Sequence, residues 1–195
     1  MTENFGKDYW KFVWEEFKSG DRKAFEIIYK EYVEVLYSYG AKISSDRALV
    51  EDSIQDTFLA IYTWEGRLRK PESLEFFLYK TLKRILISRM KEKNRQLSSD
   101  EFAEQFDLKF LLEEADTSVL DEQTVILKRE LENLDSQKRE LLFLRFNSGL
   151  SYIEMGELLE LKADTAKKQV TRLLKVLRKK LEQNFVELFV FCFKV

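Results

Sequence analysis

A dense group of cationic side chains near the end of the chain has the chemistry needed to bind phosphates. Eight lysines and arginines between positions 162 and 182 stand against two acids, which gives this segment a local charge of +6. Cations that face a DNA backbone release condensed counterions, and this release supplies much of the binding free energy. The pattern predicts a DNA-binding element, although a lysine-rich helix with a merely solvated face is the simpler alternative.

A helix-turn-helix would position these cations. Ser151 and Glu154 have the spacing of a capping box, which opens a helix, and Gly156 is small where two helices must cross closely. The next helix has aliphatic residues on one face and basic residues on the other, so it can lie in a major groove. The residues that we predict to contact DNA are Lys162, Ala163, Asp164, Lys167, Lys168, Thr171, Arg172 and Lys175.

A second basic segment lies upstream, from position 81 to 96, with a local charge of +5. Aromatic residues stand at the start of the same predicted helix. Cations for the backbone beside rings for stacking are the combination that holds single-stranded or opened DNA, whereas buried aromatic residues alone indicate only a core. The candidate residues in this helix and in the loop before it are Arg67, Arg69, Lys70, Tyr79, Lys83, Arg84, Arg89 and Lys91.

Acidic residues are concentrated in two places. Glu51, Asp52, Gln55 and Asp56 face outward on one predicted helix, and the segment from 96 to 135 has a charge of −9. Paired carboxylates can serve acid–base catalysis or hold a metal ion. The chain, however, has no histidine and one cysteine, which leaves no plausible zinc site and argues against hydrolase and oxidoreductase functions. We expect no cofactor or metal. We interpret the helix as a solvated face or a docking surface for a basic partner helix. The acidic segment is either a disordered spacer or an occupant of a basic channel made for nucleic acid.

The composition favours helices throughout. One proline and six glycines in 195 residues leave few helix breakers, and helical periodicity covers 8–18, 22–39, 47–64 and 74–94. Ser44, Ser45 and Asp46 are candidate N-caps of the third helix. We predict an all-α protein of two small helical domains: a four-helix domain over 8–95, an acidic linker over 96–133, a helix-turn-helix domain over 134–182 and an apolar tail over 183–195.

Two segments outside these domains are less determined. Phe102, Phe106 and Phe110 recur every fourth position in the linker, so part of it is predicted to be helical or to dock on a surface. The tail over 183–195 either docks on the protein, binds a partner or is poorly ordered. No stretch approaches the ~20 apolar residues that span a bilayer, and no secretory leader is evident. We therefore expect a cytoplasmic protein.

The order of these parts resembles that of the extracytoplasmic-function sigma factors, the small two-domain class of sigma-70 RNA polymerase specificity subunits. Four stretches in the expected order carry the resemblance. They are the opening helix at 21–29, the Glu-Asp-Ser-Ile-Gln-Asp-Thr-Phe motif at 51–58, Leu78-Tyr79 with the basic helix at 83–95, and the helix-turn-helix from Leu150 through Thr165 and Lys167 to Arg172.

The resemblance implies a function and its partners. The protein would bind core RNA polymerase through Asp52, Gln55, Asp56 and Phe58, with Glu51 beside them, on the clamp helices of the β′ subunit. The loop and helix at 66–95 would hold the separated −10 strand. The last helix, with Thr165 among its contacts, would read the −35 duplex. The β flap is a further expected contact, the linker would thread the RNA-exit path, and no reaction would be catalysed.

The chain departs from the usual pattern at several positions. Lys83-Arg84 and Ser88 replace an Arg-Asn pair and an aspartate, Glu160 takes the place of the usual turn glycine, and Lys162 that of the usual capping serine. The resemblance also leaves an anti-sigma factor open as a partner. Two other functions stay open: a DNA-binding regulator that acts without polymerase, and a helical scaffold with no nucleic-acid role.

Overall fold

The computed structural model describes residues 7–63, 74–96, 106–107 and 122–181. Within these ranges the chain forms eight α-helices and no strand, which confirms the all-α prediction. Among the described helices, none is both long and apolar enough to cross a bilayer. The helices are α1 (Lys7–Lys18), α2 (Arg22–Ile43), α3 (Arg47–Tyr62), α4 (Leu74–Gln96), α5 (Glu122–Glu132), α6 (Ser136–Asn147), α7 (Tyr152–Leu158) and α8 (Ala163–Leu181).

Side-chain caps fix the starts of several helices. Asp21 caps α2 by accepting a hydrogen bond from the Lys23 amide at 2.7 Å. Of the three candidate caps of α3, Asp46 is the one used, since its carboxylate accepts from the Leu49 amide at 3.2 Å. The predicted capping box of Ser151 and Glu154 is present at α7, with both reciprocal bonds formed. Each cap satisfies amides that the helix itself leaves without acceptors.

Helix α2 is longer than its sequence pattern indicates. It continues past Tyr39 to Ile43, through Gly40. A Cβ atom at Gly40 would lie 2.8 Å from Cγ1 of Val50 on α3, closer than real Cβ contacts come. The glycine therefore does not end the helix but allows α2 and α3 to approach, and α4 closes the same core with Leu82 and Leu86.

Helix α5 lies inside the segment that the sequence assigns to the linker. Its Leu127 and Leu131 are buried, and it packs against α8. This short apolar stripe is hard to recognise in the sequence because acids stand at both ends of the helix, at positions 121, 122, 130 and 132. Together α5, α6, α7 and α8 form a C-terminal helical unit around Leu141, Leu142 and Val170.

The turn between α7 and α8 sets the angle of the last helix. The Leu161 amide donates to the Gly156 carbonyl at 2.7 Å. A Cβ at Gly156 would lie 2.6 Å from the Leu161 carbonyl oxygen and 3.2 Å from the Ala163 nitrogen, which confirms the predicted close crossing. Glu160 has a φ of 57°, a left-handed conformation that glycine adopts without strain.

The strained turn yields a stability prediction. We expect Glu160→Gly to raise the free energy of unfolding by about 0.5–1 kcal/mol, because it relieves about 1–2 kcal/mol of left-handed strain and loses part of this through the greater freedom of glycine in the unfolded chain. Urea unfolding followed by circular dichroism measures the change. The control is Glu34→Gly in the exposed middle of α2, which we expect to cost about 1 kcal/mol. A loss of stability in Glu160→Gly would contradict the strain argument.

Candidate nucleic-acid and polymerase interfaces

The cationic face of α8 is open to solvent. The helix buries Ala166, Val170 and Leu177 against its own unit. The ion pairs within the described residues include none of the cations predicted to bind DNA here. Thr171 donates its hydroxyl to the Lys167 carbonyl at 2.9 Å. The predicted residues Lys162, Asp164, Lys167, Lys168, Thr171, Arg172 and Lys175 are exposed, and Ala163 and Thr165 are half-buried.

Only some of the residues predicted to bind the −10 strand lie on an accessible surface of α4. Arg84 and Lys91 are exposed on α4, whereas Lys83 donates to both carboxylate oxygens of Glu140, at 2.9 and 3.0 Å. Arg89 turns toward α3 instead. The residues Arg67, Arg69 and Lys70 lie outside the described residues.

Tyr79 lies in the core rather than on a DNA-facing surface. It is 1% exposed, and its ring meets the Tyr39 ring edge-on at 4.9 Å between centroids. Burial, with the nearby Glu75 carboxylate as a smaller cause, raises the pKa of the Tyr79 hydroxyl. In this conformation the ring packs in the core and offers no face for a base to stack on.

The outer face of α3 carries two acids that share one arginine. Arg89 of α4 binds Asp56 and lies 3.7 Å from Asp52. Glu51 instead pairs with Arg47 at 2.8 Å, and Gln55 is exposed. Within the part of the chain that the structure describes, no three acidic or cysteine side chains converge as metal ligands would. The face is partly neutralised and remains accessible.

Phe58 is not on that face. It is 2% exposed, and its ring contacts those of Phe25 and Tyr29. The apolar residues on the outer face are Leu59, 56% exposed, and Tyr62, 50% exposed, which the sequence analysis missed. Their signal is positional: they follow Asp52, Gln55 and Asp56 at helical spacing and fall out of phase with the buried line of α3. Exposed apolar residues beside charges are typical of protein-docking surfaces.

A buried polar cluster between the two helical units was also missed. Glu140 of α6 is 6% exposed and accepts from the hydroxyl of Tyr39 at 2.5 Å as well as from Lys83. Lys80 of α4 reaches Glu157 of α7 at 2.5 Å. The paired residues are 57 to 101 positions apart in the sequence, so no local sequence pattern predicts these contacts.

The family model described as Sigma-70 region 2 matches residues 28–96, which include the outer face of α3 and all of α4. A curated relative, the ECF RNA polymerase sigma factor SigW of Bacillus subtilis (strain 168), is 27% identical over 173 residues, which cover 84% of this chain and 92% of the relative.

A solved structure has a similar fold. It is the sigma factor RpoE of Bartonella quintana, in a co-crystal with the anti-sigma factor NepR. The identity is 24%, the TM-score is 0.54, and the match covers 82% of this chain and 99% of that one. The likeness extends over both helical units.

The ion pair between Asp46 and Lys93, 2.6 Å long, fastens the start of α3 to α4 and yields a pH prediction. The hydrogen bond from Lys93, with the Leu49 amide, holds the pKa of Asp46 below its ordinary value of 3.8. A carboxyl whose pKa is lower in the folded state contributes stability above its unfolded pKa, and this contribution is lost as the pH falls through the folded value.

We therefore expect the stability difference between the wild type and Asp46→Asn to be constant near neutral pH and to shrink below about pH 4. Urea unfolding midpoints at several pH values measure it. Glu34→Gln, an exposed change on α2, should show no such trend. An Asp46→Asn difference that persists undiminished at the lowest pH would show that the ion pair does not stabilise the fold.

Proposed function

We propose a function from one premise: the chain belongs to the extracytoplasmic-function branch of the sigma-70 family. Members of this family are transcription initiation factors rather than enzymes. We propose that this protein binds core RNA polymerase, directs it to promoters and catalyses no reaction itself. The observation that carries the proposal is the separation of two accessible surfaces, the outer face of α3 and the cationic face of α8, on different helical units.

The outer face of α3 is the proposed polymerase-binding surface. Asp52 and Asp56 keep 63% and 45% of their side-chain surface exposed despite their contact with Arg89. Leu59 and Tyr62 add apolar area beside them. Exposed acids followed by exposed apolar residues on one helix face suit a basic helical partner, as the clamp helices of the β′ subunit would be. Phe58 lies on the buried side of α3, where its ring contacts that of Tyr29 on α2 and helps to hold the helix in place.

The two DNA contacts are assigned to different helices. We propose that α8 lies in the major groove of the −35 duplex, since its cations are exposed and its other face is fixed in the core. The polar side of α4, with the loop that precedes it, would hold the −10 strand through Arg84, Lys91 and Lys83. Lys83 can do so only after it leaves Glu140.

We retain the division into two domains and a linker as part of the proposal, with one adjustment. Helix α5 packs on α8, so the C-terminal domain would begin near Glu122 rather than at 134. The β flap of polymerase is a further proposed contact. An anti-sigma partner is proposed by analogy with the Bartonella quintana relative, which was solved in complex with one.

Charge reversal on α3 tests the polymerase contact. We expect Asp52→Lys with Asp56→Lys to lower the affinity for core polymerase by about tenfold or more, since each change places a cation against a basic partner. Pull-down with purified core enzyme measures it, while duplex binding by α8 is retained. The matched control is Glu26→Lys with Glu34→Lys, two exposed acids on α2. Equal retention of core polymerase by both double variants would exclude this surface and favour a regulator that acts alone.

Removal of one cation tests the duplex contact. We expect Lys167→Ala to weaken binding to promoter duplex and to reduce the slope of log affinity against log salt by about one. Fluorescence anisotropy over a salt series measures both. Lys30→Ala, an exposed change on α2, is the control and should leave the slope unaltered. An unchanged slope in Lys167→Ala would remove α8 from the interface.

A further inference from the structure

The contact between the two helical units is centred on one buried carboxylate. Glu140 of α6 accepts hydrogen bonds from Tyr39 of α2 and from Lys83 of α4. Only 15% of the Lys83 side chain and 8% of the Glu140 side chain are exposed. A carboxylate with such donors is well satisfied, and an ammonium deprived of it in the same place would be buried without a counter-charge.

A two-residue segment of the linker holds the same contact from the side. The Phe106 amide donates to the Ser136 hydroxyl at 2.7 Å, and the Phe106 carbonyl accepts from Arg139 at 2.8 Å. The Asp107 amide donates to the Lys42 carbonyl at 2.7 Å. Residues 106–107 therefore connect the end of α2 to the start of α6, which confirms that Phe106 docks on a surface.

Aromatic rings fill the space around the buried carboxylate. The Phe106 ring lies 5.8 Å from that of Tyr39 and 5.5 Å from that of Phe143 on α6, between centroids. Tyr39 and Phe143 also stack on each other at 6.0 Å. An open cleft lined by Lys83, Glu140 and Phe106 borders these rings. The exposed Lys80–Glu157 pair lies at the rim, where an ion pair contributes little.

We propose that this contact is a closed state in which Glu140 takes the position of a DNA phosphate on Lys83. The C-terminal unit and the −10 strand then compete for the same side of α4, so the free protein binds single-stranded DNA poorly until the units separate. A carboxylate and a phosphate present the same anionic oxygens to an ammonium, and Lys83 cannot serve both. The competition with DNA rests on the proposed function, whereas the closed state itself does not.

The closed state is tested on the full chain without polymerase. Small-angle X-ray scattering gives the radius of gyration of the wild type, of Glu140→Lys and of the charge exchange Lys83→Glu with Glu140→Lys. We expect Glu140→Lys to be expanded, because two cations then face each other, and the exchange to restore the compact value. An expanded wild type, a compact Glu140→Lys, or an exchange that stays expanded would each overturn the closed state.

The competition is tested with a single-stranded oligonucleotide of mixed sequence. We expect Glu140→Gln to bind it about tenfold more tightly than the wild type, the gain that follows when about one molecule in ten is open. The matched control is Glu130→Gln, which removes one negative charge and one lysine partner, Lys180, away from the interface. Equal affinities of the two variants, with both folded by circular dichroism, would refute the competition.

Phe106→Ala provides a second route to the open state, since it removes the ring that packs against Tyr39 and Phe143 without changing any charge. We expect it to expand the protein and to raise the affinity for the oligonucleotide as Glu140→Gln does. If Phe106→Ala expands the chain but leaves the affinity unchanged, Glu140 does not compete with DNA. Loss of core binding in the α3 variants tests the proposed function separately, because neither scattering nor oligonucleotide binding involves polymerase.

Discussion

Cationic side chains of α4 form ion pairs with carboxylates of three helices that pack against it, which are α3, α6 and α7. Along its length Lys80 faces Glu157, Lys83 faces Glu140 and Lys93 faces Asp46, while Arg89 lies between two acids of α3. The opposite side of the helix is apolar and completes the N-terminal core. A single helix thus couples the core, the proposed polymerase surface and the contact between units.

This pairing explains how a chain with a net charge of −2 can contain two strongly basic segments. The acids are not spread evenly. Several lie beside α4, whereas on α8 the ion pairs among the described residues include Lys180 with Glu130 but none of the predicted DNA-binding cations, which are Lys162, Lys167, Lys168, Arg172 and Lys175. Positive charge therefore remains accessible on α8, whereas on α4 the side chains of Lys80, Lys83, Arg89 and Lys93 are paired with acids and those of Arg84 and Lys91 stay exposed. Total charge says little about nucleic-acid binding in such a molecule, and its distribution says much.

Sequence reasoning predicted what depends on neighbouring residues. The helices other than α5, a cap for α3 among residues 44–46, the capping box and the crossing at Gly156 all follow from patterns within one or two turns. It missed α5, whose two buried leucines stand among acids, and it ended α2 early, before Gly40. It also placed Tyr79 among the stacking residues, while the structure buries that ring. Glu140 lies 57 positions from Lys83, and only the packing of the two units brings them together.

The contacts of Phe106 and Asp107 with α2 and α6 limit how far apart α4 and the C-terminal unit can move. While these two residues are bound, the chain that leaves α4 has nine residues, 97–105, before it is anchored again, a span of at most ~30 Å. Once these two residues are released, 25 residues, 97–121, separate α4 from α5, and the maximum extended length of the connection rises to ~90 Å. The largest distance that this connection allows between α4 and the C-terminal unit therefore depends on whether residues 106–107 stay bound.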